Sequence, residues 1–447
     1  MPIPNRTTAA NYHFHIYNYP GSAPFTLSQA IGPNQAPQFQ FYSLFQDLQQ
    51  LLADATAKNI PAVLFPLQPQ TIGQRYIWVL RFGGGPANKR VLFTGGVHGR
   101  ERIAVEIPFL IAEYLINNYP DPNGPAPTPR QLVIQHLVDR RQIFVAPMLN
   151  PDGHMYATLT DRNWRINRRI LTQANDFTAQ NQFALQMAGN IDYFANQHNP
   201  PQNLQLNAQG CRVITFHPAA VTQGVDVNRN FPGPNWGYEC YRPTDGKRTS
   251  SGNPAVAGTE RETYFGPKAS SEPETQAIVQ FITQYGPFLA SIDYHSYGKQ
   301  ILYPEAAAGD GDVIRMAQCM SELIRDNLPN NPGNLPGNNY AFSTVSQWLY
   351  PAFSTVADYS YQTAPQGLLT RKPYAFTVEL DPVVNNVAGS WRFDLPEAQI
   401  LNVFRKNIRG ALALIACAGK FLNPVGTPQC CGQFANWDVY NHGNQVP

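Results

Sequence analysis

The sequence predicts an α/β fold: a mixed, mostly parallel twisted sheet flanked by helices on both faces. Three observations carry this expectation. Apolar runs of strand length alternate with amphipathic, helix-length segments over most of the 447 residues, as in a sheet covered on two sides. QIFVAPML (142–149) is almost wholly apolar, which suits a central strand with no face in water. Finally, 43% of the chain is hydrophobic, including 25 Phe and 22 Tyr, which is ample for a large core.

Residues 1–40 are rich in Pro, Asn and Gln and read as an irregular lead-in. A helix is expected over 41–57, where Leu44, Phe45, Leu48, Leu51 and Leu52 fall on one face. RYIWVLRF (75–82) and RVLFTGGV (90–97) read as strands joined by the GGGPANK turn as a hairpin. That glycine run lacks the GK[ST] ending of a phosphate loop. A second helix, about 104–119, would bury Ile107, Leu110, Ile111, Tyr114 and Leu115, before the linker YPDPNGPAPTP. SIDYHSYGKQILYP (291–304) holds two strand-like pieces and YAFTVEL (374–380) another. A long final helix spans 397–422, with Leu401, Phe404, Ile408, Leu412 and Ile415 inward. Thus 41–422 reads as one main domain with a Gln/Asn-rich insertion at about 166–222, followed by a tail at 423–447.

The formal net charge is +2, from 32 basic and 30 acidic residues, and calls for neither nucleic acid nor an anionic membrane. The longest small-apolar run, Ala411 to Gly419, is about half a membrane span. Charged residues are only 14% of the chain, against roughly 25% in an average protein. This composition favours a secreted protein with its leader removed over a cytoplasmic one. The chain has six cysteines and no CxxC pair, which argues against a cysteine-bound structural metal. Cys430 and Cys431, adjacent in a Pro/Gly-rich tail, are expected to be peripheral.

His98 and Glu101 stand in an HxxE spacing at a strand-to-helix junction, where an imidazole and a carboxylate can face one ion. A lone HxxE is weak, and needs a third ligand from elsewhere. His295, at the end of an apolar strand in SIDYHSY, completes a His₂Glu set with a fourth position for water. Around these lie HGRE, NPDG, NWR, GVDVNRN, HSY and FTVEL, in that order. From about residue 75 to 422 the chain resembles the zinc metallocarboxypeptidases of the pancreatic carboxypeptidase A and B type.

The resemblance implies one Zn²⁺ held by His98, Glu101 and His295, the ligand set known for carboxypeptidase A. It implies hydrolysis of C-terminal peptide bonds of peptides and proteins, with a zinc-bound water as nucleophile and Glu379 as general base and acid. Arg165 matches the arginine that stabilises the oxyanion. Asn228 and Arg229 match the pair that grips the terminal carboxylate. Arg100 and Tyr297 match contacts upstream of the scissile bond, and Tyr350 the tyrosine that closes over the terminal residue. Arg162, Arg168 and Arg169 match no anchor and read as solvated surface. The resemblance also implies a disulfide between Cys211 and Cys240 if the protein matures in an oxidising compartment.

In the family, the residue at the pocket floor sets the preferred terminal side chain. The resemblance aligns that floor position with Ala357, with Ala352, Thr355 and Thr377 also lining the pocket. An uncharged floor implies apolar or aromatic terminal residues, whereas a one-residue slip would bring in Asp358 and select Lys or Arg. The sequence departs from the pattern at PAFSTVAD, which lacks the usual paired glycines, and in the inserted TAPQGLLTRKP. An aspartoacylase-like amidohydrolase, a peptidoglycan peptidase and an inactive binding module are the competing readings. The Asn228–Arg229 pair and Tyr350 favour a peptide terminus, no wall-binding repeat is found, and every ligand is present. A monomer is expected.

Overall fold

The computed structural model describes residues 12–17, 41–169, 212–213, 224–233, 236, 238–239, 265–266, 268–324, 339–348, 352–363, 372–381, 393, 395–420, 422, 429–435 and 437. The expected insertion at 166–222 therefore lies mostly outside the described residues, as do Tyr350, Cys211 and Cys240.

Eight strands form one sheet: β3 (Ala62–Pro66), β4 (Trp78–Phe82), β5 (Arg90–Gly95), β6 (Gln142–Ala146), β9 (Ala290–Ser296), β10 (Gln300–Tyr303), β11 (Ala341–Thr344) and β12 (Tyr374–Leu380). Two short pairs lie apart from it: β1 (His15–Ile16) with β2 (Tyr42–Ser43), and β7 (Arg212–Val213) with β8 (Tyr238–Glu239). The sheet order is β11-β10-β12-β9-β5-β6-β4-β3. Its centre, β12-β9-β5-β6, is parallel throughout, and β10 pairs antiparallel with β12. At the far edge β4 runs antiparallel to both β6 and β3. The mixed, mostly parallel sheet is as expected, but the hairpin is not. β6 sits between β4 and β5, so GGGPANK links strands that are not neighbours. Pairing with a strand some 50 residues away outcompetes the local turn because β6 is buried on both faces and belongs in the interior.

Alternation along each strand divides the core in two. Val91 and Phe93 of β5, with Ile143 and Val145 of β6, meet α1 (Leu44–Ala57), α2 (Ile103–Asn117), α6 (Gly311–Leu323) and α9 (Glu397–Cys417). Leu92 and Phe144 point the other way, onto α5 (Pro273–Tyr285) and α8 (Val356–Gln362). α1 starts where the Ser43 side chain accepts a hydrogen bond from the Gln46 amide. α2 is buried on every side from Ile103 to Ile116, so it is a central helix and not the one-stripe helix expected. The linker gives way to α3 (Pro129–Asp139), begun by Pro129 and a Thr128–Gln131 capping box. α4 (Pro151–Leu159) starts at Asn150, whose side chain accepts from the Gly153 amide. The short α7 (Val345–Trp348) follows β11 directly.

Residues 12–17 and 429–435 both join the core. Tyr12, Phe14 and Tyr17 are buried, and His15 lies between Glu106 of α2 (2.6 Å) and Asp47 of α1 (3.0 Å). Cys430 and Cys431 are buried rather than peripheral. They lie in α10 (Gln429–Gly432) and form disulfides, Cys431 with Cys319 of α6 and Cys430 with Cys417 of α9. With Phe434 and Trp437 also buried, this segment has enough apolar surface to dock on the two helices.

Candidate metal centre

The parallel strands end at one edge of the sheet, and the chemistry collects there. β5 gives way to the turn carrying His98 and Glu101, and His295 is the sixth residue of β9. In the β9–β12 register Glu379 is the direct partner of His295. Two residues 84 positions apart are thereby held side by side by backbone hydrogen bonds, with no side-chain adjustment needed.

His98, Glu101 and His295 are all buried, and their ligand atoms converge. The Nδ1 atoms of His98 and His295 lie 2.8 and 2.9 Å from the two oxygens of Glu101, and 3.2 Å from each other. The outer nitrogens face carboxylates: His98 Nε2 is 3.1 Å from Asp226 and His295 Nε2 is 2.8 Å from Asp293. With each Nε2–H donated outward, both Nδ1 lone pairs point at each other and at a carboxylate. Three facing acceptors in a dry site repel unless a cation lies among them, so the residues present fit a metal ion. The charges agree. Burial pushes Glu101 up, but His98 and His295 hold it well below the usual carboxylate range. Burial opposes the charged form of His295 too, yet Asp293 and Glu101 hold its pKa well above the usual value.

Asp226 joins the pocket's parts. Its Oδ1 accepts from the Asn228 amide (2.9 Å), and its Oδ2 accepts from Arg165 Nε (3.2 Å) and Nη2 (3.0 Å). Burial raises its pKa, and Arg165, His98 and Arg229 more than reverse this. Arg165 also reaches to 3.5 Å from Glu101. Burial pushes the Glu379 carboxyl up to about 7, against the pull of His295 and Arg165.

Of the remaining expected residues, Asn228 and Arg229 are buried in the turn Val227–Arg229. Asn228 Oδ1 accepts from the Val356 amide, seating the start of α8 against this turn. Ala357 is buried in the first turn of α8, and Asp358 closes a capping box with Thr355. Burial raises the Asp358 carboxyl to about 6. Arg100 donates to the Asn163 carbonyl and lies 4.2 Å from the Phe393 ring centroid, while Tyr297 packs on the same ring at 5.0 Å. Two of the arginines expected on the solvated surface are engaged instead. Arg168 stacks over Tyr156 and Trp164, and Arg169 pairs with Glu272 at 2.8 Å. Sequence reasoning missed Asp226, Asp293 and Phe393. Asp293 had a signal, because two residues before His295 on a strand is the same face.

Fold and site together define a mixed α/β protein with a buried His₂Glu metal centre at the ends of its parallel strands. The profile of the zinc carboxypeptidase family matches residues 52–410, and the chain belongs to that family. Carboxypeptidase A5 of Homo sapiens is 25% identical over 331 residues, 73% of this chain and 55% of that protein. The chain thus spans little more than half of that relative's length. Carboxypeptidase A1 of Bos taurus is 24% identical over 387 residues, 84% of this chain and 70% of that one. Among solved structures, the carboxypeptidase A from Helicoverpa armigera shares the fold with a TM-score of 0.53 at 21% identity, covering 83% of this chain and 71% of that one.

Proposed function

We propose that the chain is a zinc-dependent exopeptidase that hydrolyses the C-terminal peptide bond of peptides and proteins. The observation that carries this reading is the placement of Glu379 beside His295 in the β9–β12 register, next to the convergent His98, Glu101 and His295 ligand atoms. A bound zinc ion supplies Lewis acidity and lowers the pKa of water from about 16 to about 7.

The chain's own residues do the rest. Glu379, whose raised pKa suits proton exchange near neutrality, takes the proton of the attacking water and delivers it to the leaving amine. Arg165 is held by Asp226 at the edge of the ligand set, where its guanidinium meets the charge developing on the carbonyl oxygen. Arg229 and Asn228 bind the terminal carboxylate, with Arg100 and Tyr297 contacting the peptide upstream and Tyr350 closing over the terminal residue. Asp226 and Asp293 orient the two imidazoles. The terminal side chain is apolar or aromatic in this reading. Ala357 offers no charge, and the Asp358 carboxylate is engaged by the Thr355 amide and hydroxyl.

Digestion of a mixed peptide library, read by mass, tests the reading. Products one residue shorter at the C-terminus, abolished by 1,10-phenanthroline and restored by zinc, are expected. Internal cleavage, or full turnover in verified metal-free protein, would show the reading to be wrong.

A further inference from the structure

The opposite end of the sheet carries a second charged feature. A cavity of about 520 Å³ opens beside the N-terminal ends of β5 and β6, between α3 and the end of α9. Its polar lining includes Lys89, His136, Arg140, Arg141 and Lys420, and no acidic residue. Lys89 stands just before β5, and Arg140 and Arg141 just before β6, whereas the metal centre follows the other end of β5. The chain's net charge is only +2, so this concentration is local.

Arg141 is the fixed part. Buried, it donates through Nε to the Ile415 carbonyl, through Nη2 to Ala418 and through Nη1 to Arg140. Carbonyls at a helix C-terminus satisfy its hydrogen bonds, but they carry only partial charge. Lys89, His136, Arg140 and Lys420 are exposed around it. Among the described residues no carboxylate forms an ion pair with Lys89, His136, Arg140 or Arg141. Burial lowers the His136 pKa, with Arg140, Arg141 and Lys420 adding to it and the nearby Asp139 only partly opposing them, and burial and Arg141 lower that of Lys420.

We propose that this basin binds a phosphate or sulfate group. A concave site rimmed by flexible cations over a preset guanidinium suits a small, multiply charged oxyanion. The volume is that of an ordinary ligand pocket, so the group can be free or borne by a small molecule.

Calorimetric titration of the full chain with inorganic phosphate, and separately with a sulfated disaccharide, tests this at ionic strength held constant with NaCl. Saturable binding of either is expected, and which one binds more tightly identifies the source. In the double variant Lys89→Gln, Arg140→Gln, binding should weaken by about tenfold or more, since each position contributes a charge-assisted contact. Both side chains are exposed, so the variant should keep its Tm without the anion. No saturable binding of either probe, or equal affinity in the variant, would overturn the proposal.

Discussion

Asp226→Asn separates the role of the outer carboxylate from that of the ligands themselves. Asp226 is fully buried and acts only as an acceptor: Oδ1 serves His98 Nε2 and the Asn228 amide, and Oδ2 serves Arg165 twice. Asparagine has nearly the same shape but only one carbonyl oxygen. If that oxygen faces His98, the amide nitrogen is driven against the Arg165 guanidinium. If it faces Arg165, the amide donates to His98 Nε2, moving the ring proton to Nδ1, the atom that faces Glu101 and His295. The second arrangement removes a ligand lone pair and the first releases Arg165, so either is damaging. Losing one charge-assisted hydrogen bond is worth about 1.5–3 kcal/mol. At about 1.4 kcal/mol per factor of ten, zinc affinity should fall about 10–100-fold, in the range for outer-shell partners. Competition with a chelator of known affinity measures this, with kcat/KM at saturating zinc measured in parallel. Recovery of kcat/KM at high zinc would indicate the His98 route, and persistent loss the Arg165 route. A folded variant with unchanged zinc affinity and unchanged kcat/KM would refute the reasoning.

Three further outcomes are expected. Glu379→Gln should keep its zinc, by metal analysis, while kcat falls by about 10²–10⁴, because an amide cannot accept the water's proton; loss of metal instead would make Glu379 a ligand. Burial depresses His15, but Glu106 and Asp47 raise its pKa from 6.5 to about 9. A raised folded-state pKa stabilises fully below 6.5 and less as pH climbs through 9, so Tm should drop over that window and His15→Gln should flatten the profile. Reduction, or Cys431→Ser, should lower stability by about 2–5 kcal/mol in denaturant titrations. The Cys319–Cys431 bridge closes 112 positions of chain, and an unchanged midpoint would mean that it does not form in solution.

The core elements were legible where side-chain period and burial agree. β12 matches its expected span, and the five inward residues of the last helix are all buried. The errors share a cause in long-range contacts. Nothing in the glycine turn tells that β6 will come between β4 and β5. Composition made the tail look loose, although Cys430 and Cys431 bury themselves against helices that lie elsewhere in sequence. α3 was missed despite a local signal, since Thr-Pro-Arg-Gln is a capping box with proline in the first turn. At the site, HxxE and the second histidine pointed to the ligands. Asp226 escaped because its role is defined by the imidazole nitrogen it faces across 128 positions of chain, which only tertiary structure reveals, whereas Asp293 carried a same-face signal two residues before His295 that went unused.

The parallel centre of the sheet explains why so many charges can be buried at one place. Asp293 and His295 are two residues apart on β9 and so share a face, and Glu379 is set beside His295 by register. Had β12 run antiparallel to β9, its end would lie at the opposite edge and Glu379 would be a strand's length from the metal ligands. The carboxylates of Glu101, Asp226, Asp293 and Glu379 thus meet two imidazoles, Arg165 and Arg229 in a small volume, where four acidic groups face two permanent cations. A buried excess of negative charge is costly without a counter-ion. A divalent cation offsets it, so the demand for metal arises from strand order and direction as much as from the three ligands.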